Sequence, residues 1–146
     1  MEREVIQSVG FRNTVEDGRI TGFQLKIRLP YYRGVFLSQL RPGTLIIDGE
    51  RFERGDIIWN IKGEDYTMEE MRTDFRTHWN PCETATLKVK KDGGLKQGFH
   101  DITYGFCFTS SYMPPVLQNQ LDPDKEIFPF LPEFGRHVNK RRLIIV

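Results

Sequence analysis

The sequence predicts a mainly β protein: an antiparallel β-sandwich with one short helix and an extended C-terminal arm. Three observations predict it. Apolar and polar residues alternate over several segments, Asp-Gly and Gly-Gly turn signals separate these segments, and helix signals are confined to one stretch. A chain of 146 residues buries enough surface to form a core without disulfides. We therefore expect a sandwich domain over residues 1–115, followed by an arm over residues 116–146.

The clearest predicted strand spans residues 20–30 and ends at Pro30. One face of this strand carries Phe23, Leu25, Ile27 and Leu29. A partner strand is predicted over residues 11–15, joined to it through Asp17-Gly18. Asp-Gly favours a tight hairpin here, because such turns need residues that accept a positive φ.

Two further turn signals, Asp48-Gly49 and Asp92-Gly93-Gly94, border other β segments. The remaining predicted strands are residues 44–47, 50–52, 57–61, 84–91 and 98–112. One helix is predicted after Thr67, because Thr67 and Glu70 form a capping box in which each satisfies the other's backbone N–H. The helical pattern fades by Phe75, so we expect two or three turns at most.

The arm differs in composition from the rest of the chain. Its prolines preclude an ordinary helix or central strand, yet aromatic residues persist at Phe128, Phe130 and Phe134. These phenylalanines are candidate interface residues, because soluble domains rarely leave such surface open. We expect the arm to assist assembly with a partner, so that a chain ending at Pro115 stays folded. Alternatively, the strand-like residues 143–146 join the chain's own sheet, and such a truncation unfolds the domain.

Charge and termini exclude several classes of protein. The chain has 21 Lys and Arg against 20 Asp and Glu, so its formal net charge is only +1. A nucleic-acid-binding domain would normally be basic, and we expect no such partner. No apolar run reaches the length of a membrane span, and the N-terminus lacks an apolar targeting segment. Cys82 and Cys107 form no CxxC motif, so a cytoplasmic protein is predicted.

A self-sufficient catalytic or metal site is not predicted. His78, His100 and His137 are not at the spacings of metal ligands, and nucleophile-elbow and phosphate-loop motifs are missing. His100 lies in phase with an apolar strand face, which is more typical of a buried structural histidine than of a ligand.

The most distinctive segment is the loop Leu29-Pro30-Tyr31-Tyr32-Arg33-Gly34. Pro30 ends the preceding strand and Gly34 permits a sharp turn. Tyr31, Tyr32 and Arg33 are residue types that carry binding energy at recognition surfaces, so they are candidates for a substrate pocket or a subunit interface. The alternative is a surface turn whose tyrosines cover the end of the core.

Several segments match a known pattern in the same order. The longest is residues 23–34, and it is followed by Ile47-Asp48-Gly49-Glu50, by residues 66–71 and by Ser111-Tyr112-Met113-Pro114. Together they resemble the small (beta) subunit of bacterial C-glycoside deglycosidases over roughly residues 8–115. The arm has no comparable match.

The resemblance implies a heteromeric lyase that cleaves the carbon–carbon bond between a sugar and an aromatic aglycone. It implies substrates such as flavonoid C-glucosides, oxidised at C3 of the sugar. The large (alpha) subunit is implied to be TIM-barrel-like and to hold a divalent metal, usually manganese, with the acid and base residues. The small subunit would then bind no cofactor, and no catalytic residue transfers to this sequence.

Two other functions remain open from the residues alone. A stand-alone carbohydrate-binding β-sandwich would also use aromatic loops, although it has little need of the arm. A small cupin-like barrel enzyme would need clustered histidine and carboxylate ligands, and the spacing does not provide them.

Overall fold

The computed structural model describes residues 4–109, 122–124 and 137–146. The strands are β1 (Arg12–Glu16), β2 (Arg19–Arg28), β3 (Val35–Phe36), β4 (Leu40–Arg41), β5 (Leu45–Ile47), β6 (Glu50–Phe52), β7 (Ile57–Ile61), β8 (Glu64–Tyr66), β9 (His78–Trp79), β10 (Thr84–Lys90), β11 (Gly98–Phe108) and β12 (His137–Ile145). One α-helix in this part of the chain, α1, spans Met68–Arg72.

Two antiparallel sheets form the body of the protein. The first sheet has the order β1-β2-β10-β7-β8, and the second has the order β12-β11-β5-β6, with β4 pairing to the end of β11. Strands β3 and β9 form a separate two-stranded ribbon. The predicted mainly β, antiparallel sandwich is therefore confirmed.

Large aromatic side chains fill the space between the two sheets. Trp59 of β7 contacts Tyr104 and Phe106 of β11, with ring centroids 6.4 and 6.0 Å apart. Phe23 of β2 meets Phe52 of β6 edge to face at 5.1 Å. Because these residues come from opposite sheets, their burial joins the sheets into one core.

The Asp-Gly hairpins form as predicted. Asp17 and Asp48 have φ angles of 50° and 51°, and the glycine after each is also at positive φ. Asp tolerates this conformation better than most residues, which explains its place in both turns. Strand β2 then pairs with β10 across a long sequence separation, from Arg28↔Thr84 to Gly22↔Lys90.

The helix is short because little of it faces the core. Thr67 Oγ1 accepts from the Glu70 amide at 3.1 Å, and Glu70 Oε1 accepts from the Thr67 amide at 3.1 Å, which confirms the capping box. Met71 is its buried side chain, and the helix ends after five residues. No helix in the described ranges is long and apolar enough to cross a membrane.

The longest predicted strand ends earlier than expected. β11 stops at Phe108, short of the predicted limit at residue 112. Its next residue, Thr109, donates its amide to the Gln39 carbonyl, and the Gln39 side chain donates to the Thr109 carbonyl. These bonds hold Thr109 to the turn at Leu37–Gln39 rather than to a neighbouring strand of a sheet.

The end of the arm belongs to the chain's own second sheet. β12 pairs with β11 over nine residues, from Gly98↔Ile145 to Phe106↔His137. Of the two expectations for residues 143–146, the structure shows the one in which they extend the sandwich. The predicted boundary at residue 115 and the candidates Phe128, Phe130 and Phe134 lie outside the described residues and stay predictions.

A second piece of the arm also contacts the sandwich. The Asp124 carboxylate accepts from the Thr44 amide at 2.8 Å and from the Thr44 hydroxyl at 2.9 Å. Asp122 forms an ion pair with Arg54 at 2.8 Å. Both described pieces of the arm are therefore bonded to the sandwich of the same chain.

Candidate functional site

The loop between β2 and β3 divides its two tyrosines between core and solvent. Tyr31 is only 8% exposed and its ring lies 4.9 Å from that of Phe108, whereas Tyr32 is 65% exposed. The two tyrosine rings are 4.6 Å apart, and the Arg33 guanidinium lies 5.3 Å from the centre of the Tyr32 ring. The structure thus brings the three predicted residues together. Tyr31 covers the end of the core, while Tyr32 and Arg33 face solvent.

At the base of this loop, Gly34 lies close to Trp79 and Asn80. A Cβ atom at Gly34 would lie 2.6 Å from Asn80 Oδ1 and 3.1 Å from the Trp79 carbonyl, so only glycine fits without displacement. Asn80 donates to Glu83 Oε1 at 2.8 Å, and the Trp79 indole donates to the Glu83 carbonyl at 3.0 Å. The exposed residues Tyr32 and Arg33 are therefore followed by a glycine that packs against a hydrogen-bonded turn.

The β3–β9 ribbon continues from this loop and carries further aromatic residues. Val35 pairs with Trp79 and both are buried, whereas Phe36 pairs with His78 on the other face. Phe36 is 38% exposed, and the centroid of its ring lies 4.0 Å from that of His78. Phe75, just before β9, is 70% exposed. We call Tyr32, Arg33, Phe36, Phe75 and His78 the aromatic patch.

Sequence reasoning missed Phe36 and Phe75. Two-residue strands are too short to show period-two alternation, and the partners in the ribbon are far apart in sequence. The signal that could have found them is the density of aromatic and basic residues in residues 31–36 and 75–79.

His100 is a structural residue, as its place in the apolar pattern predicted. Its Nδ1 lies 2.5 Å from Asp48 Oδ2 and its Nε2 lies 2.6 Å from the Lys96 carbonyl. Both partners are acceptors, so these two contacts favour the doubly protonated ring, in which both nitrogens donate. Burial lowers the pKa of His100, but the Lys96 carbonyl and the Asp48 carboxylate raise it more, so the net shift is upward.

Cys107 is not poised for nucleophilic chemistry. Cys82 and Cys107 are free, and Cys107 is buried. Burial raises the pKa of Cys107 to about 12, so it stays a thiol at neutral pH. The pKa of the neighbouring Arg41 is lowered to about 10. Burial is the larger cause, and repulsion from Arg72 is the second.

The residues that the structure describes contain no group of three or more His, Cys, Asp or Glu side chains that could hold a metal ion. A divalent metal therefore has no fitting ligand set in ranges 4–109, 122–124 and 137–146. The expectation that such a metal is bound by another subunit stays a prediction.

A groove of about 480 Å³ lies on the first sheet and is lined by residues of β1, β2, β7, β8 and β10. Its lining includes Arg12, Glu16, Lys88 and Asp65, and the last two form an ion pair of 3.0 Å. The lining has no aromatic side chain, whereas ligand pockets are usually walled by apolar and aromatic groups. The exposed aromatic surface of residues 32–36 and 75–78 is therefore the better candidate site.

Comparisons with known proteins agree on one family. A family model described as C-glycoside deglycosidase beta subunit matches residues 1–112. A protein named C-glycoside deglycosidase beta subunit, from Eubacterium cellulosolvens, is 65% identical over 147 residues and covers 100% of both chains. Another protein of that name, from Microbacterium trichothecenolyticum, is 28% identical over 93 residues, which are 64% of this chain and 68% of its own. The full-length match includes the arm, which lies beyond the family model.

Proposed function

We propose, from the premise that this chain belongs to the C-glycoside deglycosidase beta-subunit family, that it completes the active site of a hetero-oligomeric lyase. Its partner is a large (alpha) subunit, TIM-barrel-like, that holds a divalent metal such as manganese and the acid and base residues. The substrates are aromatic C-glycosides, such as flavonoid C-glucosides in their 3-oxo form. The bond that breaks joins C1 of the sugar to an aromatic carbon. We place the enzyme in the cytoplasm, which suits two free thiols.

The 3-oxo group makes this carbon–carbon cleavage chemically accessible. A base removes the C2 proton, which the neighbouring ketone acidifies, and the electron pair forms an enolate between C2 and C3. The enolate then expels the aromatic carbon from C1, leaving a C1–C2 double bond, and the aromatic carbon takes up a proton. A metal ion on the large subunit would supply stabilisation of the enolate oxygen.

The role of this chain is to enclose and orient the aglycone. Tyr32 offers an exposed flat ring, and the Arg33 guanidinium beside it offers a planar cation that suits an electron-rich phenolic ring. Tyr31 packs below them on Phe108, so the tip is already ordered before a ligand arrives. This exposed but supported Tyr32–Arg33 pair is the observation that carries the proposal.

Reconstitution tests the proposal directly. The purified chain is incubated with a 3-oxo flavonoid C-glucoside, alone and with Mn²⁺ and the alpha subunit of a C-glycoside deglycosidase, and aglycone release is measured. The alpha subunit alone is the control. We expect release that depends on both subunits. Turnover by this chain alone in metal-free buffer, or an inactive complex, contradicts the proposal.

Size-exclusion chromatography of the same mixtures separates this function from the stand-alone carbohydrate-binding module. A lyase subunit elutes with the alpha subunit at a larger apparent mass, whereas a free-standing module elutes alone in both samples. Retention on a glycan column without the alpha subunit would favour the module.

A further inference from the structure

We infer that the large subunit docks on the aromatic patch. Phe36, Phe75 and His78 are then contacts of the large subunit, in addition to those that the loop Tyr31–Arg33 makes. This inference rests on the proposed function, since it assumes an alpha subunit as the occupant. It extends the interface from one loop to a ribbon and the turn that precedes β9.

Exposed aromatic side chains concentrate on this part of the surface. Within the described residues, the exposed tyrosine and phenylalanine side chains are Tyr32, Phe36, Phe75 and Phe99, of which Phe36 is the least exposed at 38%. The first three lie in two segments that pair with each other through Val35↔Trp79 and Phe36↔His78. Aromatic residues and arginine are enriched at the centres of protein interfaces, and a domain that acts alone rarely clusters them in solvent.

The patch is rigidly attached to the core. On the opposite face of the ribbon, Trp79 packs against Trp59 at 5.6 Å and against Phe106 at 5.7 Å between ring centroids. Rigid presentation lowers the entropy lost on binding, because the side chains of the ribbon are already positioned by its buried face. Preorganised aromatic groups of this kind are typical interface anchors.

The turn that carries Phe75 is also fixed. The Asp74 carboxylate accepts from the Arg76 amide at 2.9 Å and from the Thr77 amide at 2.7 Å. The Asp74 carbonyl in turn accepts from the Ser38 amide at 2.9 Å, and the Thr77 carbonyl accepts from the Leu37 amide at 3.0 Å. Phe75 therefore projects from a loop that is bonded to the residues following Phe36.

Charge defines the chemistry of the partner surface. Arg76 is exposed and follows Phe75 directly in the sequence. A matching surface on the large subunit is apolar at its centre and carries a carboxylate opposite the Arg76 guanidinium, which would favour fast association. The groove on the first sheet is a weaker candidate for such a partner, because charged side chains such as Lys88 and Asp65 line it and no aromatic side chain does.

The docking experiment compares Phe36→Ala and Phe75→Ala with Phe99→Ala. Phe99 is a matched control, because it is 65% exposed, close to the 70% of Phe75, and lies on β11 away from the ribbon. The Kd for the alpha subunit is measured by biolayer interferometry and the melting temperature by differential scanning fluorimetry. We expect Kd to rise at least about tenfold for each patch variant and to stay unchanged for Phe99→Ala.

Activity at saturating small subunit separates docking from catalysis. If Phe36 and Phe75 serve docking, excess variant subunit restores the turnover rate of the wild-type complex. Unchanged Kd values for both patch variants, or an equal loss with Phe99→Ala, overturn the inference. Phe75→Ala keeps the test decisive even if Phe36→Ala lowers the melting temperature. An inactive wild-type mixture instead counts against the proposed function, so the two failures are distinguishable.

Discussion

The side chain of Asn139 accepts a hydrogen bond from the backbone amide of Ile6 at 2.8 Å. Asn139 lies on β12 of the second sheet, whereas Ile6 bridges to Ile27 of the first sheet. Arg141 adds a second bond from its guanidinium to the Ile6 carbonyl, also at 2.8 Å. The two ends of the chain therefore meet where the edges of the two sheets come together, and β12 stabilises more than its own sheet.

Asn139→Ala should destabilise the domain, because it leaves the amide of the buried Ile6 without its acceptor. An unsatisfied buried donor costs about 1–3 kcal/mol, which urea unfolding followed by fluorescence can resolve. Lys140→Ala, at the exposed neighbouring position, is the control and should change the unfolding free energy by less than about 0.5 kcal/mol. Equal effects of the two substitutions would contradict the importance of this contact.

Truncation after Pro115 should unfold the domain. It removes β12, which pairs with β11 over nine residues, and also Asp124, which bonds to Thr44. Circular dichroism should show loss of the β signal for this truncation and for deletion of residues 137–146. Deletion of Val146 alone, which is almost fully exposed, should leave the spectrum unchanged. A folded fragment ending at residue 115 would contradict this prediction and would support a role of the arm in assembly alone.

The local features of the fold were predictable from the sequence. The Asp-Gly turns follow from residues that accept positive φ, as Asp17 and Asp48 do. The capping box of Thr67 and Glu70 is likewise decided by side chains three positions apart. In each case the interaction that fixes the structure lies within a few residues of sequence.

Features that depend on distant partners were not predictable in the same way. Residues 143–146 are apolar and strand-like in sequence, but β12 begins at His137, and its pairing with β11 depends on a distant strand that the local sequence does not identify. The same limit applies to the loop, where two adjacent tyrosines look alike in sequence. Phe108, far along the chain, buries Tyr31 and leaves Tyr32 in solvent.

Gly22→Ala should be strongly destabilising. A Cβ atom at Gly22 would lie 2.1 Å from the Val89 carbonyl oxygen, so β2 and β10 would have to separate. We expect a loss of at least about 2 kcal/mol in the free energy of unfolding, measured with urea. Gly55→Ala is the control, because its Cβ would meet nothing within 4 Å. If both variants lose the same stability, the close approach at Gly22 is not the cause.

His100 should make stability depend on pH. Its pKa is raised in the folded state, so its contribution is fully present below the unfolded pKa of about 6.5 and is lost as pH rises through the folded value. Urea unfolding between pH 6 and pH 9 should show this loss in the wild type, and the difference should shrink in His100→Gln. Asp48→Asn keeps a residue that tolerates the positive φ and should weaken the same dependence. A pH dependence identical in all three proteins contradicts this account.

Alanine substitutions of Tyr31 and Tyr32 should affect different properties, the stability of the chain and the activity of the complex. Tyr31→Ala removes a buried ring that packs on Phe108, so it should cost about 3 kcal/mol and lower the melting temperature. Tyr32→Ala removes an exposed ring, so it should leave the melting temperature nearly unchanged while reducing aglycone release by the complex. The measurement is the melting temperature of the isolated chain beside the activity of the reconstituted complex.

Arg33→Lys sharpens this comparison, because lysine keeps the positive charge but loses the planar guanidinium that stacks on Tyr32. If the planar cation contacts the aglycone, Arg33→Lys should lose nearly as much activity as Arg33→Ala, with both variants keeping the wild-type melting temperature. If Arg33 acts only through its charge, lysine should restore most of the activity. If Tyr32→Ala instead lowers the melting temperature and still forms a fully active complex, this loop only covers the end of the core.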